Sequence, residues 1–101
     1  MKKLSIIIPI KNMYDYLPRA LDSIETQCIK DEYEVIIVND QSEKSHQYIL
    51  NNYQNLPIIY IDNSFELKGP GTARQTGIDT ATGEWITFLD ADDYFLEDSI
   101  Q

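Results

Sequence analysis

Three acids, Asp90, Asp92 and Asp93, stand within four residues in "WITFLDADDYF", residues 85–95, where an apolar run stops. Two carboxylates about 6 Å apart repel by roughly 1–3 kcal/mol at effective dielectric constants of about 80 to 20. Unpaired, each raises the other's pKa. A divalent cation reverses the sign of that interaction. Hard oxygen donors suit Mg²⁺ or Mn²⁺, and Mg²⁺ commonly takes one or two carboxylates together with substrate phosphates. The competing reading is a turn in which Asp90 and Asp93 cap a short helix beginning near Tyr94.

A second stretch with chemical content is "KGPGTARQTGIDTATGEW", residues 68–85. Gly69, Pro70 and Gly71 predict a tight loop before a helix that carries Arg74 in its first turns. A helix N-terminus beside an arginine suits a phosphate. The alternative is a surface ion pair between Arg74 and Asp79 or a neighbouring acid. The loop is not a dinucleotide fingerprint: Arg74 stands where the third glycine belongs, and the loop follows the third apolar run rather than the first. No G-K-[ST] follows, so it is not a P-loop. The third stretch is "VIIVNDQS", residues 35–42, which sets Asp40 just past an apolar run. A carboxylate there can accept hydrogen bonds from a base N–H or from ribose hydroxyls. A plain N-cap or Asx-turn is the alternative.

These residues need a frame. Apolar runs at 4–8, 33–38, 57–61 and 84–89 are short and apolar on both faces, as strands of a buried parallel sheet are. Between them, Tyr16, Leu17, Ala20, Leu21 and Ile24 recur at helical spacing, with Pro18 in the first turn. A second helix is expected over about 44–53, with Ser42 as N-cap, and a third over about 71–81, ended by Gly83. Ala73, Thr76, Gly77 and Thr80 would form the close-packing side of the third helix. Strand–helix alternation predicts a parallel α/β sheet with right-handed crossovers. Ligands of such sheets bind beyond the carboxyl ends of the strands, where strand order reverses. The polar residues collect there: Lys11 and Asn12, Asn39 and Asp40, Asp62 and Asn63, Asp90 and Asp92.

The 101 residues bound one small domain or part of a larger one. A net charge of −9 argues against a nucleic-acid partner held by a basic patch. One cysteine, Cys28, excludes a disulfide framework or a Cys-rich zinc site and fits a reducing, cytoplasmic setting. The apolar run after Lys2 and Lys3 is too short, and too soon broken by Pro9, for a signal peptide. No stretch reaches the roughly 20 apolar residues of a membrane span.

Taken together, "SIIIPIKNMYDYLPRALDSIETQ", "YEVIIVNDQS" and "GPGTARQTGIDTATGEWITFLDADD" resemble the N-terminal half of family-2 glycosyltransferases, the inverting group with the A-type nucleotide-sugar-binding fold. The resemblance covers nearly the whole chain. It implies a Rossmann-like three-layer sandwich whose mainly parallel sheet has four strands in the order 3-2-1-4. It implies that residues 1–101 are the nucleotide-diphospho-sugar-binding half, with the acceptor part and the general base expected beyond Gln101, and hence that this segment alone is inactive. Pro9, Ile10 and Asn12 would lie in the first nucleotide-contacting loop. Asp40 would bind the base and Arg74 would lie by the diphosphate. Asp90, Ala91 and Asp92 would form the D-x-D motif, with Asp92 on Mn²⁺ or Mg²⁺ and Asp90 on the ribose or the metal. The donor would be a UDP-linked sugar and the acceptor a glycan or lipid-linked hydroxyl, met at the inner face of a membrane.

Three positions depart from the family pattern. Lys11 stands where a tyrosine is common, Asn39 replaces the first Asp of the usual "VDD", and "NDQS" lacks the common glycine. The lone His46 is expected on an exposed helix, with no catalytic role. Two other classes compete: a noncatalytic nucleotide-sugar-binding module complete at this length, and a sugar-phosphate nucleotidyltransferase. The latter typically carries a glycine-rich basic loop after its first strand, which "PIKNMYDYLP" lacks. An uncovered edge at 84–89, with Tyr94, Phe95 and Leu96, leads to the expectation of a homodimer.

Overall fold

The computed structural model describes residues 3–27, 32–63 and 70–90, with Pro70 as backbone only. The elements are β1 (Lys3–Ile10), α1 (Leu17–Thr26), β2 (Glu32–Asn39), α2 (Gln47–Leu50), a 3-10 turn (Asn51–Tyr53), β3 (Ile58–Asp62), α3 (Pro70–Thr80) and β4 (Trp85–Phe88). All strand pairs are parallel, in the order β3-β2-β1-β4. The expected class and strand order are therefore present. The order reverses between β1 and β4, where such sheets open a crevice.

Side chains on a strand alternate between its faces. Ile6, Ile8, Ile10, Val35 and Ile37 pack with Leu17, Ala20, Leu21 and Ile24 of α1 and with Ile49 and Leu50 of α2. Ile7, Ile36 and Val38 point the other way and meet Ala73 of α3. Both faces are thus covered, which is why β1 and β2 read as unbroken apolar runs. Helix α1 has Pro18 in its first turn and no side-chain cap. Burial rather than capping holds it, since each fully buried Leu or Ile stabilises by about 1.5–3 kcal/mol.

Strand β1 continues through Pro9 to Ile10, although the sequence run was expected to end before the proline. The carbonyl of Ile7 accepts from Leu89 N–H on the β4 side, and that of Ile10 accepts from Asp40 N–H on the β2 side. By this alternation the missing N–H of Pro9 faces β4. The β1–β4 register ends at Ile7 and Phe88, so no ladder bond is lost there.

Helix α3 links β3 on one edge to β4 on the other, and so must cross the sheet closely. Of the expected close-packing side, Ala73, Thr76 and Gly77 lie buried beneath it, while Thr80 is half-buried. A methyl group at Gly77 would overlap Ile7 Cγ2. At the opposite end of the strands, buried Glu34 accepts from Ser5 Oγ at 2.6 Å and from Thr82 N–H at 2.8 Å. Gly83 N–H donates to Ser5 Oγ at 2.9 Å, which ties the α3–β4 turn to β1 and β2.

The second helix differs from expectation. It is four residues of α-helix followed by three of 3-10, and Ser42 does not cap it. Ser42, Glu43, Lys44 and His46 instead bond to the β1–α1 turn. His46 is fully buried rather than exposed, which corrects the sequence reading.

Candidate functional site

The carboxyl ends of the strands carry three linked groups of polar side chains. The first joins the β1–α1 turn to the β2–α2 loop. Asn12 N–H donates to Ser42 Oγ at 2.9 Å, and Glu43 N–H donates to Asn12 Oδ1 at 2.8 Å. Tyr14 Oη donates to Lys44 O at 3.0 Å and lies 3.1 Å from Asn12 Oδ1, while Lys44 N–H donates to it at 2.7 Å. Asn12 sits at φ 53° and Gln41 at φ 58°. Asn tolerates this left-handed region, whereas glutamine is strained in it. Gln41 occupies the place of the glycine common in "VDDGS", so the loop keeps its shape at a local cost.

The second group surrounds Asp40, which is buried just past β2. Asn63 Nδ2 donates to Asp40 Oδ1 at 2.9 Å and lies 3.0 Å from Thr72 Oγ1. Thr76 Oγ1 donates to Asn63 Oδ1 at 2.9 Å. The amide of Asn63 thus fixes one carboxylate oxygen against the start of α3. Beside it, Asn39 Nδ2 donates to Asp62 Oδ1 at 3.1 Å, and Ser42 N–H donates to Asn39 Oδ1 at 3.1 Å.

The third group lies past β4. Arg74 Nη2 donates to Asp90 Oδ1 at 3.0 Å, with both side chains substantially exposed. The arginine therefore pairs with Asp90 and not with Asp79, which accepts from Gln75 Nε2 at 2.9 Å. An exposed pair of this kind contributes little to stability. Its value is placement: it brings a cation beside the first acid of the D-x-D stretch.

Of the expected site residues, Pro9 and Ile10 line the end of β1, with Ile10 buried in the core. Asn12, Asp40, Arg74 and Asp90 all stand at the carboxyl edge. Ala91, Asp92 and Asp93, and the apolar Tyr94, Phe95 and Leu96, lie outside the described residues. Among the described residues, no three His, Cys, Asp or Glu side chains converge as a metal cluster. Asp90 alone fits a weaker demand. It is an exposed hard oxygen donor at the strand end, and Mg²⁺ or Mn²⁺ bound with substrate phosphates takes one or two carboxylates. Sequence reasoning missed Asn63, Thr72, Thr76 and Tyr14 as individual supports. The bonds that make them supports, Asn63 to Asp40, Asn63 to Thr72, Thr76 to Asn63 and Tyr14 to Lys44, span 9 to 30 residues, so no local pattern reveals them.

The site can be set beside known proteins. A family model described as "Glycosyl transferase family 2" matches residues 5–101. The chain is 38% identical over 101 residues to the poly(ribitol-phosphate) beta-glucosyltransferase of Bacillus spizizenii, covering 97% of this chain and 16% of that protein. It is 36% identical over 102 residues to the GalNAc(5)-diNAcBac-PP-undecaprenol beta-1,3-glucosyltransferase of Campylobacter jejuni, covering 99% of this chain and 33% of that protein. The crystal structure of S. aureus TarS 1-349 in complex with UDP-GlcNAc superposes with a TM-score of 0.85 at 32% identity, covering 97% of this chain and 28% of that one. The chain thus spans between about a sixth and a third of the length of these relatives.

Proposed function

Because the chain belongs to glycosyl transferase family 2 and has the A-type fold, we propose that it is the donor-binding part of an inverting glycosyltransferase. The donor is a nucleoside-diphosphate sugar, UDP-linked, and the acceptor is a hydroxyl on a glycan or lipid-linked glycan. The observation that carries this reading is the meeting of Asn12, Asp40 and the Arg74–Asp90 pair at the carboxyl edge, on either side of the order reversal between β1 and β4. The names of the relatives support the substrate class: one acts on an undecaprenol-linked glycan and another was solved with UDP-GlcNAc.

In this proposal the residues divide the work. The turn Pro9–Asn12 and the Asp40 carboxylate hold the nucleoside, with Asp40 accepting from the base. Asn63 keeps that carboxylate oriented. Arg74 lies by the diphosphate and offsets the charge that builds on it as the sugar departs. Asp90, with Ala91 beside it, meets the ribose or the metal, and Asp92 meets the metal. When bound, Mn²⁺ or Mg²⁺ supplies positive charge at the diphosphate. Attack from the face opposite the nucleotide inverts the anomeric carbon. A chain acting on a lipid-linked acceptor would work at the cytoplasmic face of the membrane. No helix among the described residues is long and apolar enough to cross it.

Calorimetric titration of UDP, with and without Mn²⁺, tests the reading. The protein carries −9 and a nucleoside diphosphate roughly −2 to −3, so without a cation they repel. Binding is expected to depend strongly on Mn²⁺, and Asp92→Asn is expected to abolish most of that dependence. Asp40→Ala should cost about 1.5–3 kcal/mol, roughly ten- to a hundredfold in affinity, which added metal does not restore. Equal UDP binding in wild type and Asp92→Asn, with and without metal, would reduce the acids to turn residues.

A further inference from the structure

His46 is the one histidine of the chain, and its ring is fully buried. Its backbone carbonyl opens the short helix, accepting from Ile49 and Leu50 N–H, but its side chain does not cap it. Its Nε2 accepts the backbone N–H of Met13 at 3.2 Å, across 33 residues of sequence. Tyr14 stacks on the ring with centroids 4.5 Å apart and planes 17° from parallel. Tyr60 of β3 closes the far side, its hydroxyl accepting His46 N–H at 3.1 Å and lying 3.5 Å from Nδ1. Since Nε2 accepts, the ring is neutral and carries its proton on Nδ1.

Both neighbours of Met13 are bound to the same loop. Asn12 is held at φ 53° by its bonds to Ser42 and Glu43, and Tyr14 by its bonds with Lys44. The imidazole is the central peg of that attachment. Protonation turns Nε2 into a donor facing another donor, the Met13 amide. The contact then becomes repulsive, inside a site that also disfavours the charge.

We propose that neutral His46 is the positioning residue of the β1–α1 turn, holding Asn12 in the conformation that meets the nucleotide, so that protonating His46 releases the turn and weakens donor binding. The inference rests on the reading of Pro9–Asn12 as nucleotide contacts. Burial lowers the pKa of His46 below its ordinary value, in keeping with a ring kept neutral. The titratable groups against the ring from other elements are the phenols Tyr14 and Tyr60. The charged Lys11, Asp15, Glu43 and Lys44 of the two loops are all exposed.

The experiment is UDP titration in Mn²⁺ from about pH 8 down to about pH 5, for wild type and His46→Gln, with the His46 ring and the Met13 amide followed by NMR. Glutamine can place a neutral acceptor near the Nε2 position and does not titrate there. The ligand's own phosphate titration is common to both proteins, so only their difference counts. Wild type is expected to lose about tenfold more affinity than His46→Gln as pH falls, with the midpoint of that extra loss at the ring's own titration. Exchange protection at Met13 should fall in step. Tyr14→Phe, which keeps the stack but removes the hydroxyl, should weaken binding and leave the pH dependence in place. If His46→Gln does not fold, the coincidence of ring titration, Met13 exchange and affinity loss in wild type decides. UDP binding that is unchanged through the titration of His46 would overturn the positioning role and leave the nucleotide reading standing. No UDP binding at any pH, with Met13 protected, would overturn the nucleotide reading and this inference with it.

Discussion

Asn39 and Asp62 face each other in the register of β2 and β3, and the amide of Asn39 donates to the Asp62 carboxylate at 3.1 Å. This explains a departure from the family pattern. An aspartate at 39 would lose the donor and set two carboxylates in contact. Because the pair is exposed, Asn39→Asp is expected to destabilise the fold by up to about 1 kcal/mol near neutral pH. Adding Asp62→Asn should recover most of that loss. Urea unfolding of the single and double variants measures both effects, and an additive double variant would show that the pair does not interact.

Asn63 is the hub of the Asp40 group. Asn63→Ala takes one donor from Asp40 Oδ1 and one acceptor from Thr76 Oγ1 within a buried group. The expected cost is about 1–3 kcal/mol of stability. UDP affinity should fall as well, since the carboxylate loses its fixed orientation. Melting curves and calorimetry on the same samples separate the two losses.

Glu34 should contribute stability that acid removes. Burial would raise its pKa, but hydrogen bonds from Ser5 and Thr82 and the nearby Lys3 ammonium outweigh it and hold the carboxyl below the usual value of 4.5. A folded pKa below the unfolded one gives stability that is full above about pH 4.5 and is lost as pH falls through the folded value. His46, also lowered, adds an earlier loss that begins as pH drops below its ordinary 6.5. Unfolding free energy followed from neutral to acid pH should therefore fall in two stages. Glu34→Gln should be less stable at neutral pH and should lack the lower stage. A single stage in wild type would contradict the assignment.

Two glycines of α3 should respond oppositely to alanine. At Gly77 the added methyl meets Ile7, and overpacking of this kind costs about 1–3 kcal/mol. Among the described residues nothing lies within 4 Å of a methyl at Gly71, so Gly71→Ala should be neutral or gain up to about 1 kcal/mol of helix propensity. Thermal melts of both variants check the contrast.

Strand β4 lies at the edge of the described sheet, with Ile86 and Phe88 exposed. Such an edge invites pairing with a second copy. Sedimentation is expected to show concentration-dependent association, and Ile86→Lys to weaken it by placing a charge on that strand. A clean monomer at high concentration would overturn the expectation of a homodimer.

The frame was legible because its causes are local. Ile6 to Ile8 and Val35 to Val38 are apolar on both faces, which only a doubly covered strand requires. Asp40, Arg74 and Asp90 were legible as the polar residues that follow such runs. The second helix was not. Its periodicity fits residues 44–53, but Ser42, Lys44 and His46 bond to Asn12, Tyr14 and Met13 instead, and those tertiary bonds override local preference. For the same reason His46 gave no warning of its burial. Its partners Met13, Tyr14 and Tyr60 come from two distant segments.

The position of β4 also orders events in time. Leu4 pairs with Trp85, so the strand that leads to Asp90 closes on β1 only after some eighty residues have been made. Contacts of such long sequence separation carry a large closure entropy and tend to form late. β1, α1, β2 and β3 are neighbours both in sequence and in space, and so can assemble first. The Asn12 and Asp40 ends of the site would then exist before its Arg74–Asp90 end. In pulsed hydrogen exchange during refolding, the Leu89 amide should gain protection after the Asp40 amide, although both donate to carbonyls of the same strand. Simultaneous protection would mean that the sheet condenses as one unit.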